Sequence, residues 1–246
     1  MSDKRKKEAP SSYARTLLQQ LLDIVFPPQC AGCKRSGHVL CPSCIARIQP
    51  LPLPLCQHCS TPLFPNGACK TCYYHRLSLS GLRAVGTFQE PLRSYIHALK
   101  YEGNTRLAQP LGHLLAQAYM TYNIQADIIV PVPLHKEREQ HRGYNHAHLL
   151  AEVCSSILNI PLHTEILVRR RATLAQVDLK LRDRRHNVTG AFVCSPAFAT
   201  GALFERKILI IDDVSTTGST LEACAAPLFA AGAMTVWGLV LARPVP

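Results

Sequence analysis

A chain of 246 residues with 47% hydrophobic content has room for one large domain or two smaller ones, which excludes a wholly disordered protein. No apolar run approaches the roughly 20 residues that a membrane-spanning helix needs, so none is expected. Lys and Arg outnumber Asp and Glu by 27 to 16, a formal net charge of +11 that favours polyanionic partners without saying which.

The first ten residues, "MSDKRKKEAP", predict a solvated tail carrying Lys4, Arg5, Lys6 and Lys7. The stretch from Tyr13 to Phe26 is interrupted by Arg15, Gln19, Gln20 and Asp23, which argues against a signal peptide and for a cytoplasmic protein. Within it Leu17, Leu18, Leu21, Ile24 and Val25 recur at helical spacing. Pro27 and Pro28 stop this short amphipathic helix, so residues 1–28 form a first segment.

Eight of the eleven cysteines fall in four Cys-x-x-Cys pairs. In a reducing compartment that spacing predicts metal in place of disulfides. Cys30, Cys33, Cys41 and Cys44 make one set, and Cys56, Cys59, Cys69 and Cys72 a second. Two such turns fill a tetrahedral shell, so each set can hold one structural Zn²⁺ with no open position; pairing within each set is the simplest assignment, and an interleaved one stays open. Residues 29–76 are then a double zinc ribbon, poor in apolar residues and dependent on metal for stability. The Pro-rich "QPLPLPL", 49–55, joins its halves in an extended form. Eight thiolates and two Zn²⁺ lower the formal charge by four, to +7. Cys154, Cys194 and Cys224 are isolated and suit small core positions.

Residues 77–126 predict a strand over 81–88, a helix carrying Leu92, Tyr95, Ile96 and Leu99, and a longer helix with Leu107, Leu111, Leu114, Leu115, Ala118 and Tyr122 on one face. In 127–246 strands are expected at 127–133, 166–168, 190–194, 207–213 and 235–242, with helices at 144–158 and 219–231. This alternation predicts an α/β fold with a mostly parallel sheet and helices on both faces. Ligands of such sheets sit at the carboxyl ends of the strands.

One strand end stands out, in "ILIIDDVSTTGSTLEA", 208–223. Ile208 to Ile211 form a continuous apolar run typical of a strand buried on both faces. Leu221, Ala225, Leu228 and Phe229 start a helix, with Pro227 as an expected kink. The loop between them opens on a helix N-terminus, where free N–H groups and the dipole favour an anion. Ser215, Thr216, Thr217, Ser219 and Thr220 add hydroxyl donors, and Gly218 lets the backbone approach a ligand. Asp212 and Asp213 repel each other, so a hydroxylated or cationic group is expected between them; a sugar phosphate with a nearby Mg²⁺ fits. Elsewhere "DIIVPVPLH", 127–135, is a buried strand leaving through a Pro-x-Pro loop. In "HRGYNHAHLL", 141–150, Arg142 and Asn145 flank Gly143 at a helix start that suits an anion, whereas His146 and His148 are as readily solvated residues as ligands. The stretch from Arg169 to Asn187 has a local charge of +5, from seven Lys and Arg against Asp178 and Asp183, as a binding lid or a solvated helix would.

"ILIIDDVSTTGST" resembles the phosphoribosyl pyrophosphate motif of type I phosphoribosyltransferases. From about residue 20 to 243 the chain resembles the ComF/GntX family, in which such a domain follows cysteine zinc ribbons. The resemblance implies Mg²⁺-phosphoribosyl pyrophosphate as ligand, its 5′-phosphate on Ser215, Thr216, Thr217, Gly218, Ser219 and Thr220. Asp212 and Asp213 would grip the ribose hydroxyls as the catalytic pair. Pro133, Leu134 and His135 would be the pyrophosphate loop. Thr173, Gln176, Arg184 and Asn187 reproduce the family's spacing in a flexible loop, and Lys100 matches a family position, so Lys100, Arg142 and Arg184 join as anion-binding candidates. The family is associated with natural transformation and the use of external DNA, which implies single-stranded DNA and DNA-uptake proteins as partners. Two functions follow: phosphoribosyl transfer to an acceptor the sequence does not identify, or a non-catalytic protein that binds single-stranded DNA or senses the ligand on the same scaffold. An amidophosphoribosyltransferase is disfavoured, because no glutaminase domain precedes the α/β part.

Overall fold

The computed structural model describes residues 27–171, 188, 190–198 and 201–245. The expected N-terminal helix, and Thr173, Gln176, Arg184 and Asn187, lie outside the described residues.

Two short helices, α1 (Pro42–Ile45) and α2 (Lys70–Tyr74), belong to the cysteine ribbons. The remaining chain runs β1 (Gly81–Thr87), α3 (Leu92–Tyr101), α4 (Ala108–Thr121), β2 (Ile128–Pro131), α5 (Lys136–Arg142), α6 (His146–Leu158), β3 (Leu167–Arg169), β4 (Phe192–Cys194), β5 (Lys207–Val214), α7 (Ser219–Ala230) and β6 (Thr235–Arg243). The main sheet has the order β1-β6-β5-β2 and is parallel throughout. Ile210 lies opposite Gly238 of β6 on one side and Val130 of β2 on the other.

Because side chains alternate along a strand, a sheet covered on both faces must be apolar at every position. Strand β5 meets that demand: Leu209 and Ile211 join one core with Leu111, Leu115 and Leu150, whereas Ile208 and Ile210 join a second with Leu221, Cys224 and Leu228. Helices α4 and α6 therefore cover one face and α7 the other, as the alternating pattern predicts. Pro227 sits inside α7. Cys154 and Cys224 are buried, while Cys194 is only partly so. Strands β3 and β4 pair antiparallel in a ribbon of their own. Helix α5 is not foreseen by the sequence, because "KEREQHR" has no apolar face to give a period.

The ribbons are built into this core. Cys30, Cys41, Cys44 and Leu40 pack into the α4 side with Tyr95 of α3, and Leu51 and Cys59 into the α7 side. The linker between them lies against β1, where the N–H of Thr87 donates to the carbonyl of Gln49 at 2.9 Å. A Cβ on Gly86 would stand 2.6 Å from that carbonyl, so only glycine admits the approach. Among the described residues no helix is long and apolar enough to cross a membrane.

Candidate functional site

Strand β5 carries both aspartates to its carboxyl end and into a cleft. The cleft is walled by Lys100 and Tyr101 of α3, by Pro133 and Leu134 after β2, and by Arg138, Arg142, His146 and Arg169. Asp213 is 2% exposed and Asp212 8%. Two carboxylates this deep require partners. The N–H of Asp213 donates to Asp212 Oδ1 at 2.9 Å, and that of Val214 to Asp213 Oδ1 at 2.7 Å. Lys100 Nζ lies 2.5 Å from Asp213 Oδ2. His146 Nε2 lies 3.7 Å from Asp213 Oδ1 and 3.9 Å from Asp212 Oδ1.

These neighbours split the pair. Burial, and then the charge of Asp213, push Asp212 up to about 7, against the pull of Lys100. Burial opposes ionisation of Asp213 as well, but the Lys100 ammonium against it outweighs that and holds the carboxyl well below the usual range. His146 is itself held neutral, burial exceeding the pull of Asp213. Its Nδ1 accepts from the Arg142 guanidinium at 2.7 Å, which leaves the proton on Nε2, facing the carboxylates. The Arg142 guanidinium in turn lies over the Tyr101 ring, 5.1 Å from its centroid.

Beside the cleft the loop after β5 forms a small cradle lined by Asp212 and residues 214–221. Gly218 has φ +86°, the left-handed geometry that turns the chain into α7. Thr217 Oγ1 and Ser219 Oγ are 2.7 Å apart, and the Ser219 N–H donates to Thr217 Oγ1 at 3.3 Å. Ser215 Oγ is buried with no hydrogen-bond partner among the described residues, as a group awaiting an acceptor or donor would be.

The structure thus brings Lys100, Pro133, Leu134, Arg142, Asp212, Asp213 and Thr220 into one cleft and the rest of the 215–220 loop beside it. His135 does not line the cleft; its Nδ1 stands 3.6 Å from Glu137 Oε2. Asn145 does not face it as an anion ligand either. Its side chain caps α6, accepting from the N–H of Ala147, and ties the helix to the carbonyl of Val132 at 3.0 Å. Tyr101 and Arg138 are additions that the sequence did not single out. A usable signal for Arg138 was its position in a polar run straight after the Pro-x-Pro loop.

Each set of four cysteines closes on itself, with all four sulfurs within 4.8 Å of one another, which settles the pairing in favour of the sequential arrangement. Separations of 3.6 Å for Cys33–Cys41, 3.5 Å for Cys59–Cys69 and 3.7 Å for Cys56–Cys72 match the roughly 3.8 Å that a tetrahedron with Zn–S bonds of about 2.3 Å requires. All eleven cysteines are free of disulfides. The two clusters therefore fit two structural zinc sites.

A family model described as the double zinc ribbon domain matches residues 21–73. The chain is 32% identical over 229 residues to competence protein F of Haemophilus influenzae, covering 88% of this chain and 98% of that protein. It is 33% identical over 195 residues to DNA utilization protein YhgH of Escherichia coli O157:H7, which covers 77% and 84% of the two chains. Competence protein ComFC of Bacillus subtilis is 26% identical over 203 residues, 78% and 79%. Among solved structures, a purine phosphoribosyltransferase from Pyrococcus horikoshii overlaps 58% of this chain and 75% of its own, with 21% identity and a TM-score of 0.35. A glutamine phosphoribosylpyrophosphate amidotransferase from B. subtilis overlaps 59% of this chain but 30% of its own, with 16% identity and a TM-score of 0.38. Structural overlaps this small carry no weight by themselves.

By fold and site, this is an α/β protein whose parallel sheet holds an acidic pair and a hydroxyl-rich turn at its carboxyl edge, with two four-cysteine ribbons packed on it. The sequence relatives make the assignment specific: the chain belongs to the ComF/GntX family.

Proposed function

We propose that this chain binds Mg²⁺-phosphoribosyl pyrophosphate in the cleft and acts in the uptake and use of external DNA in the cytoplasm. The observation that carries the reading is the junction of two buried aspartates with the hydroxyl-rich turn, Asp212, Val214 and Thr220 lining both the cleft and the cradle. The N–H and hydroxyl groups of residues 215–220 take the 5′-phosphate. Asp212 and Asp213 take the ribose diol. The loop at Pro133 and Leu134, with Lys100 and Arg142, takes the diphosphate. The oxygen-rich acidic pair and the diphosphate suit Mg²⁺, which when bound supplies charge neutralisation for the leaving diphosphate. His146, neutral with Nε2 facing the pair at 3.7 Å from Asp213 Oδ1, walls that side of the cleft. In a catalytic form of the reading, loss of diphosphate builds positive charge at the anomeric carbon, and the carboxylates beneath the ribose counter it.

Calorimetry tests the binding. Affinity for phosphoribosyl pyrophosphate should require Mg²⁺ and fall at least about 100-fold in an Asp212→Asn/Asp213→Asn double variant, since each lost bond to a charged group is worth about 1.5–3 kcal/mol. Equal affinity in the variant would remove the site. Pyrophosphate release during a screen of nucleobases and amines separates an enzyme from a ligand sensor.

A second reading, binding of single-stranded DNA, draws on the basic balance that remains after zinc, a formal +11 less four, or +7, and on the names of the relatives. Such binding should weaken steeply with salt. Replacing Arg169 to Arg171, Arg182, Arg184 and Arg185 by glutamine should weaken it further; unchanged binding would exclude that basic stretch as the contact.

A further inference from the structure

Arg243 closes β6 at 3% exposure. A guanidinium that deep must have its charge and its donors matched. Its Nη1 donates to the carbonyl of Cys59, a ligand of the second cysteine cluster, and its Nη2 donates to the carbonyl of Thr216, in the turn after β5, at 3.2 Å. Among the described residues no carboxylate pairs with it.

Two more struts run the same way. Leu77 packs against the turn so closely that a Cβ on Gly218 would stand 2.5 Å from its Cδ1. The carbonyl of Leu77 is bonded at 2.9 Å to Nε2 of His58, which lies between Cys56 and Cys59. Glu222, in the first turn of α7, is held by His75 Nε2 at 2.8 Å and by the N–H of Ser78 at 2.9 Å. The first cluster has a different seat: a Cβ on Gly32 would meet the Tyr95 hydroxyl and Cys44 Sγ, on the far face of the sheet.

We infer that Arg243 is a positioning residue that hangs the 215–220 turn on the second cysteine cluster, so that metal in that cluster, and not in the first, sets the shape and affinity of the phosphate cradle. The link to affinity rests on the ligand reading above; the mechanical link does not.

Hydrogen exchange on the full zinc-loaded chain separates the two. Arg243→Met should speed exchange of the 215–221 amides at least about tenfold, the consequence of losing bonds from a charged donor, while the amides of Ile208 to Ile211 keep their protection and show that the sheet is folded. Arg243→Lys, which keeps the charge but not the two-pronged donation, should give an intermediate change. Cys72→Ser should reproduce the acceleration, and Cys33→Ser should not. Unchanged exchange at 215–221 in Arg243→Met, or equal acceleration from Cys33→Ser, overturns the inference. Binding of ribose 5-phosphate by calorimetry should weaken at least about tenfold in Arg243→Met, and undiminished binding overturns the link to affinity. A wild-type chain that does not bind ribose 5-phosphate overturns the ligand reading and leaves the exchange result to decide the strut.

Discussion

Replacing Asp213 by Asn should destabilise the protein by about 3–5 kcal/mol at pH 7, and replacing Asp212 by Asn should stabilise it by about 2 kcal/mol at pH 8. The opposite signs follow from the split environment. Asp213 is the ionised partner of Lys100, which is 22% exposed at its side chain, and losing it strands a largely buried ammonium. Among the described residues the one salt-bridge-distance neighbour of Asp212 is His146, which is held neutral, and in its charged form Asp212 faces Asp213 at a buried strand end. An amide there keeps the acceptor for the Asp213 N–H and sheds the repulsion.

The pH dependence distinguishes the two residues. Asp212 is raised from 3.8 to about 7, so between those values the folded chain holds a proton that the unfolded chain has lost, and stability falls as pH rises through that window. Asp213 is depressed, so its contribution is present above 3.8 and is lost as pH falls below it. Thermal melts from pH 3 to 8 should show the decline between 4 and 7 abolished in Asp212→Asn and retained in the wild type. With about 2–4 °C per kcal/mol for a chain of this size, the gain at pH 8 is roughly 4–8 °C. A loss of stability in Asp212→Asn would mean that the pair is ionised together and that the assignment of charges in the cleft is wrong. Diminished ligand binding in this more stable variant would mark the acidic pair as retained for function at a cost in stability.

Removing metal should have a larger effect. Structural zinc in small ribbons contributes roughly 10–16 kcal/mol of binding free energy, as much as the roughly 5–15 kcal/mol by which whole domains are stable. Residues 29–76 should therefore lose their fold when metal is stripped. Because Cys30, Cys41 and Cys44 are part of the core around Tyr95 and Leu99, melting of the ribbon also uncovers that face of the sheet. We expect close to two zinc atoms per chain by elemental analysis, and a fall in melting temperature of more than about 10 °C after chelation. The only tryptophan, Trp237, lies on β6 and reports the sheet separately from the ribbons. One zinc or none, or an unshifted melt in the metal-free protein, would remove metal from the account of the fold.

The strands and helices around the site were legible because their signals are local. Apolar runs at Ile128 to Val132 and Ile208 to Ile211 are short, β-branched and bounded by turn formers, which favours strands covered on both faces over helices, and the leucines of α4 repeat at helical spacing. Helix α5 was invisible for the converse reason: it is polar all round and is held by its place after the Pro-x-Pro loop.

By itself the sequence determined the four Cys-x-x-Cys turns, though not which turns share a metal, the strand–turn–helix with its aspartates and hydroxyls, and the α/β class, since each of these is written in neighbouring residues. Only the tertiary structure decided that Lys100 ionises one aspartate and not the other, that His146 turns its Nε2 toward them, and that Arg243 spans from Cys59 to Thr216. Those contacts join distant parts of the chain across the parallel order β1-β6-β5-β2, and no local period records which buried charge will meet which.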